Sequence, residues 1–375
     1  MTLKIKKEIL LNILKNSTLF SDKKALNEEF KSIQFCVENG LLTTTTKNTF
    51  VSGIVFTTKV EYDGLPFTFD VDVFKLLETV KCAEKNSLIE LYTENQILRV
   101  KTGLMNDKIE FISEFQDFTP KKQEKQVFIR MKVAELLQAI KQTKATIYPN
   151  YTRYNINGLN FDLLDNSLKI VSCDGYRLSK FEAECLSIEM FGEKKSFTIP
   201  KKEILNIEKA IKQIDGDVCI TFTDIGYNIS LSGCQVFGKT IQNEFPENNF
   251  PTWRKIVPNS FRSCVKVNAK ELLEVAKIIE LKGKDRTEPP CLVSIQNNKM
   301  NLSVDWAEID LNKNITAECD AEYTLYFKVN IFYLVENLQS CESDFVVFQF
   351  NKETDPSMML ADGNEKFKVL TMPMR

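Results

Sequence analysis

The chain has 375 residues and a mass of 43.2 kDa, and its composition of 43% hydrophobic, 27% charged and 10% aromatic residues is that of a soluble globular protein with a large core. Its 49 basic and 51 acidic residues leave a net charge of −2, so any pull toward nucleic acid or membrane must be local. Histidine is absent, which excludes Ser-His, Cys-His and His-metal chemistry.

In chain order, one pattern recurs six times: an alternating apolar strand followed by a short amphipathic helix carrying an apolar doublet. The copies are LKIKKEILLNIL from Leu3, FTFDVDVFKLLETV from Phe67, VFIRMKVAELLQAI from Val127, FTIPKKEILNIEKAI from Phe197, VKVNAKELLEVAKII from Val265 and LYFKVNIFYLVENL from Leu325. The doublets begin at Leu10, Leu76, Leu136, Ile204, Leu272 and Leu334, in steps of 66, 60, 68, 68 and 62 residues. Between the helices lie turn-punctuated alternating strands, such as NGLNFDLLDNSLKIVS and DVCITFTDIGYNISLSG. Each module therefore reads as one strand, one helix and three further strands. A helix with one apolar stripe must lie on a sheet, so two modules sharing a core make a domain. The expectation is an α+β protein of three similar domains, residues 1–124, 125–257 and 258–375, with connectors at Thr119–Gln126 and Pro258–Arg262.

The ten cysteines are scattered singly, without a C-x-x-C pair or a preceding secretory signal, and read as reduced residues of a cytoplasmic protein. No apolar run reaches the roughly 18 residues of a membrane span. Asp70 and Asp72 share a strand face beside a helix start, where carboxylates are ordinary. Phosphate-loop and dinucleotide glycine patterns are absent, and no catalytic residue, metal site or cofactor is expected. Positive charge concentrates at Lys4–Lys24, net +4, and Lys121–Lys144, net +5, whereas the last helix, Asn330–Asp344, has no Lys or Arg.

Four stretches in order, Arg153-Tyr154-Asn155-Ile156-Asn157-Gly158, Asp174-Gly175-Tyr176-Arg177-Leu178, Phe250-Pro251-Thr252-Trp253-Arg254-Lys255-Ile256-Val257-Pro258 and the terminal Met372-Pro373-Met374-Arg375, carry a resemblance to the bacterial DNA polymerase III β-subunit (sliding clamp) family. Taken physically, Asp174-Gly175 is a turn signal after an apolar run, and the terminal methionines follow a strand-like segment that holds them near a sheet. The sixfold repeat matches the family's plan of three two-module domains.

The resemblance implies a non-enzymatic processivity factor: a head-to-tail homodimeric ring that encircles duplex DNA without reading sequence. It implies a groove between the second and third domains for short linear motifs of the replicative polymerase, clamp loader and repair proteins. Ile156, Leu178, Pro251, Ile256, Leu370, Met372 and Met374 would line it, Arg153, Arg177 and Arg375 would edge it with donors, and Asp174, Gly175, Tyr176, Lys255 and Pro373 would complete it. The DNA-facing residues would be Lys24, Lys75, Lys141, Lys144, Asn150, Arg153, Lys201, Lys202, Lys209 and Lys212, on helices lining the hole. Ile109 and Phe111 would meet Ile278 and Ile279 of the second subunit. The expected location is the cytoplasm, at the nucleoid, with no membrane partner. The rival classes are a clamp-like interaction module that no longer encircles DNA and a carboxylate-dependent nuclease or hydrolase. Departures concentrate in the first domain, where LNEEFKSIQF lacks the family's proline and TTTTKNTF replaces an acidic turn; Glu247-Asn248-Asn249 is extra, Lys255 stands for a frequent Arg and Asn155 for a frequent aromatic.

Overall fold

The computed structural model describes residues 2–103, 105–112, 124–164, 166–244, 247, 249–304, 306, 311–320 and 324–374. All six modules are present. The first is β1 (Thr2–Lys6), α1 (Lys7–Ser17), β2 (Ser32–Glu38), β3 (Leu41–Lys47) and β4 (Gly53–Lys59), with a short β5 (Glu61–Asp63) appended. The second is β6 (Phe67–Asp72), α2 (Val73–Cys82), β7 (Leu88–Glu94), β8 (Ile97–Thr102) and β9 (Met105–Glu110). The third is β10 (Lys125–Lys132), α3 (Val133–Thr143), β11 (Gly158–Leu164), β12 (Ser167–Cys173) and β13 (Arg177–Ala183), followed by β14 (Cys185–Met190). The fourth is β15 (Ser196–Pro200), α4 (Lys201–Ile211), β16 (Asp217–Thr223), β17 (Tyr227–Leu231) and β18 (Cys234–Gly238), then a four-residue α5 (Ile241–Glu244). The fifth is β19 (Ser263–Asn268), α6 (Ala269–Gly283), β20 (Pro290–Gln296), β21 (Lys299–Val304) and β22 (Leu311–Cys319). The sixth is β23 (Leu325–Asn330), α7 (Ile331–Ser340), β24 (Phe345–Phe350), β25 (Ser357–Ala361) and β26 (Asn364–Thr371).

Two expected boundaries move. The last helix stops at Ser340 rather than Asp344, because Cys341 leaves helical geometry (φ −92°, ψ 106°). Lys125 and Gln126 of the expected first connector already belong to β10, and residues 119–123 of it lie outside the described residues.

The strand-to-helix switch has a local cause. In three modules the last strand residue keeps an extended backbone while its side chain caps the helix: Asp72 accepts from the amides of Phe74 and Lys75 at 2.8 and 3.0 Å, Asn268 from Glu271 at 2.9 Å and Asn330 from Phe332 at 3.0 Å, whereas Lys6 before α1 is extended but makes no side-chain cap bond. The leading residue of every doublet, Leu10, Leu76, Leu136, Ile204, Leu272 and Leu334, is then buried. Each helix thus presses one apolar stripe onto its sheet.

The chain forms two compact bodies: Met1–Ala134 with Cys185–Lys194 and Lys202–Phe245, and Glu135–Glu184 with Lys195–Lys201 and Pro246–Arg375. The first holds a sheet β5-β1-β7-β8-β9 and a nine-stranded sheet β14-β10-β16-β17-β18-β4-β3-β2-β6, with α1 packed on α2. The second holds a twelve-stranded sheet β15-β11-β12-β13-β26-β25-β24-β19-β22-β21-β20-β23, with α6 packed on α7. Pairing among the described strands is antiparallel throughout, and the fold is α+β. Within each body, one pair of module-ending strands carries the sheet onward: β18 joins β4 (Val236↔Ile54) and β26 joins β13 (Leu370↔Leu178). Two module-ending strands remain. β9 ends the five-stranded sheet, and the first part of β22, Leu311–Thr316, pairs only with β21 among the described residues. Among the described residues no helix is long and apolar enough to cross a membrane.

Candidate functional site

The candidate groove lies in the second body, on the sheet face that carries Leu178. The turn joining β12 to β13 is folded by Asp174, whose Oδ1 accepts from the amides of Tyr176 (2.9 Å) and Arg177 (2.6 Å). Gly175 takes φ +93°, a left-handed conformation that favours glycine, and the terminal Nη1 of Arg153 lies beside it. Arg177 does not edge the groove as expected. It is 5% exposed, donates Nε to Asp174 at 2.9 Å, Nη1 to Asn337 and Nη2 to the Ala145 carbonyl at 3.2 Å each, and pairs with Glu336 at 2.8 Å. Its guanidinium lies 4.0 Å from the Tyr333 ring centroid. Burial, reinforced by the charge of Asp174, pushes the Tyr333 phenol up to about 12. The alternation of β13 sends Arg177 to one face and Leu178 to the other, so an arginine adjacent to an apolar anchor becomes a buried brace.

The floor of the groove is a cross-strand row, Cys173–Leu178–Leu370–Met358. Trp253 packs on it with Phe250, Val257 and Phe261 beside it, and a cavity of about 390 Å³ opens between this segment and the sheet. Trp253 is seated by its indole Nε1–H, which donates to Asp162 Oδ2 at 2.6 Å, and Arg254 pairs with the same oxygen at 2.8 Å. Of the residues expected to line the groove, Leu178 and Leu370 line this cavity. Pro251, Lys255 and Ile256 flank Trp253 and are exposed, while Ile156 is buried at the end of the 3-10 turn Tyr151–Ile156. Met372 donates its amide to the Tyr176 carbonyl at 2.9 Å, and beyond Pro373 Met374 donates to that of Lys328 at 2.8 Å, so the terminal segment is held as extended chain. Arg375 lies outside the described residues.

Trp253, Met358 and Phe261 were not among the expected groove residues. Trp253 carried a usable signal, as one of two tryptophans and flanked by Pro251 and Arg254. Met358 and Phe261 carried none: only the β25–β26 register sets Met358 beside Leu370, and only packing sets Phe261, in the segment before β19, against that row.

The expected basic lining is less concentrated than its segments imply. Of Lys121–Lys144, Lys121 and Lys122 lie outside the described residues, and Arg130 and Lys132 stand on β10, both paired with Asp217 at 2.5 and 2.6 Å. Lys141, near the end of α3, pairs with Glu342, and Lys144 is half-buried. Lys24, Lys75, Asn150, Arg153, Lys202, Lys209 and Lys212 are exposed, with Lys202 over the Phe50 ring at 5.1 Å, and Lys201 is half-buried. At the expected subunit contact, Ile109 and Ile279 are buried within their own bodies, and Phe111 stacks on Phe69 at 5.4 Å. Ile278 is 51% exposed. Both stand on α6, where the turn between successive helical residues explains why only one of the pair Ile278-Ile279 faces out.

Residues 130–247 match the family model described as DNA polymerase III beta subunit, central domain, and residues 254–375 match DNA polymerase III beta subunit, C-terminal domain. The chain is 22% identical to the beta sliding clamp of Synechococcus elongatus over 250 residues, 66% of this chain and 65% of that protein. It is 21% identical to that of Staphylococcus epidermidis over 314 residues, 83% of this chain and 79% of that protein. The crystal structure of the DNA polymerase III subunit beta from Pseudomonas aeruginosa superposes with a TM-score of 0.90 at 18% identity, covering 100% of both chains.

Proposed function

Since the chain belongs to the DNA polymerase III beta subunit family, we propose that it acts as the family's sliding clamp does: a non-catalytic processivity factor that encircles duplex DNA as a head-to-tail homodimer and tethers a polymerase by its groove. Three two-module domains, residues 1–124, 125–257 and 258–375, are the natural parts of such a ring. The observation that carries this reading is strand pairing. Module-ending strands join as β18 with β4 and β26 with β13, which leaves β9 and the first part of β22 without the equivalent partner among the described residues. Pairing of β9 in one copy with β22 of a second repeats the same junction twice more and removes both open edges. Such a contact is heterologous, and two of them close.

The groove suits short linear peptides. Two apolar anchors buried there contribute about 1.5–3 kcal/mol each, enough after ordering costs for about micromolar, exchangeable binding. Polymerase, clamp loader and repair proteins are the partner class, and the working location is the cytoplasm, at the nucleoid. Loading onto nicked circular and linear duplex tests the ring: the protein should stay on the circle through high salt and slide off free ends. Equal retention on both would mark an ordinary binding module.

A further inference from the structure

The face of β13 and β26 that carries the apolar row carries a cationic row beside it. Leu178 pairs with Leu370, and two residues along the same strands Lys180 pairs with Lys368. Like charges directly opposite in an antiparallel pair repel. These two are also withdrawn from water, with side chains 19% and 25% exposed, and both line the groove cavity with Gln349 and Asn259. Compensation is partial: Glu182 is shared between Lys169 and Lys180, and Lys368 has Glu365 at 3.1 Å, a carboxylate that is 81% exposed. Three ammonium groups thus face two carboxylates among the described residues here. Burial pulls the Lys180 ammonium below its usual pKa, Glu182 opposes this, and Lys169 and Lys368 add to it.

We propose that the Lys180–Lys368 pair is a carboxylate subsite of the groove, which takes an Asp or Glu side chain two residues from the apolar anchor of a bound peptide. The inference rests on the groove being the peptide site. Residues two apart on one strand face stand about 7 Å apart, as do alternate side chains of an extended peptide. An anchor over Leu178 and Leu370 therefore sets the next same-side residue over the lysines. A carboxylate there offsets the repulsion between them, and ammonium groups on flexible stems accept it without a fixed geometry.

Fluorescence-polarisation titration of the intact chain tests this with twin peptides that share a Leu anchor and carry Asp or Asn two residues away. The Asp twin should bind about tenfold tighter at low salt, with the ratio shrinking as salt rises. The ratio should fall to within about twofold in the Lys180→Gln, Lys368→Gln double variant, and Lys368→Glu should favour a Lys twin over the Asp one. Circular dichroism checks folding, and the glutamine variants remove a repulsion rather than a packing contact. Equal binding of the twins to the unaltered chain, or a ratio that survives the double variant, overturns the subsite and leaves the groove standing. If neither twin binds, the groove reading falls and the subsite with it.

Discussion

Trp253 and Asp162 are 91 residues apart in the chain and 2.6 Å apart in the fold, where the indole N–H donates to a carboxylate oxygen that Arg254 also holds. This bond fixes the segment that roofs the groove. Trp253→Phe keeps the apolar contact and leaves Asp162 with one donor fewer. Loss of a buried hydrogen bond to a charged acceptor costs about 1.5–3 kcal/mol. Peptide affinity should fall with stability, measured by titration and urea unfolding, and an unchanged unfolding midpoint would show that the bond adds nothing.

The terminal segment is held by two backbone hydrogen bonds, to Tyr176 and Lys328, and no module helix depends on it. Removal of residues 372–375 should preserve the circular-dichroism spectrum and dimer mass. Peptide binding should weaken more than tenfold, since one buried anchor site is worth about 1.5–3 kcal/mol. A folded truncation with full affinity would remove Met372 and Met374 from the groove.

Subunit contact is best probed where α6 is exposed. Ile278 and Leu281 are 51% and 66% exposed, whereas Ile279 is 1% exposed. Ile278→Asp with Leu281→Asp should halve the sedimenting mass from twice 43.2 kDa while each subunit stays folded. Ile279→Asp should instead unfold its own domain, because it buries an unpaired carboxylate. Persistence of the dimer in the first variant would move the interface away from this helix.

Asp70 lies directly across the β2–β6 ladder from Gln34, and burial raises its carboxyl pKa to about 6 against the Gln34 hydrogen bond and the charge of Lys47. A folded pKa above the unfolded one means that the native state holds this proton more tightly. The contribution to stability is full below the usual carboxylate range and is lost as pH rises through about 6. Asp70→Asn should gain stability relative to the unaltered chain across that window and hold the gain above it. Urea midpoints at a series of pH values read the difference, and a gap that does not change with pH would assign the carboxylate to another environment.

What the sequence by itself determined is the local plan. Alternation followed by a helical stripe, with Asp72, Asn268 and Asn330 as caps and the doublets from Leu10 to Leu334 as the buried contacts, is written in neighbouring residues, so six modules are legible in the sequence. The short motifs also marked the turn at Asp174-Gly175 and placed Leu178 beside it. Only the tertiary structure decided that Arg177 is a buried brace, that Ile109 and Ile279 belong to the core, that Arg130 and Lys132 pair with Asp217, and that Lys180 faces Lys368. Each depends on which strand lies beside which and in what register. A one-residue slip would exchange Leu178 for Arg177 at the groove, and register between strands nearly two hundred residues apart is fixed by the packing of whole sheets rather than by any local pattern.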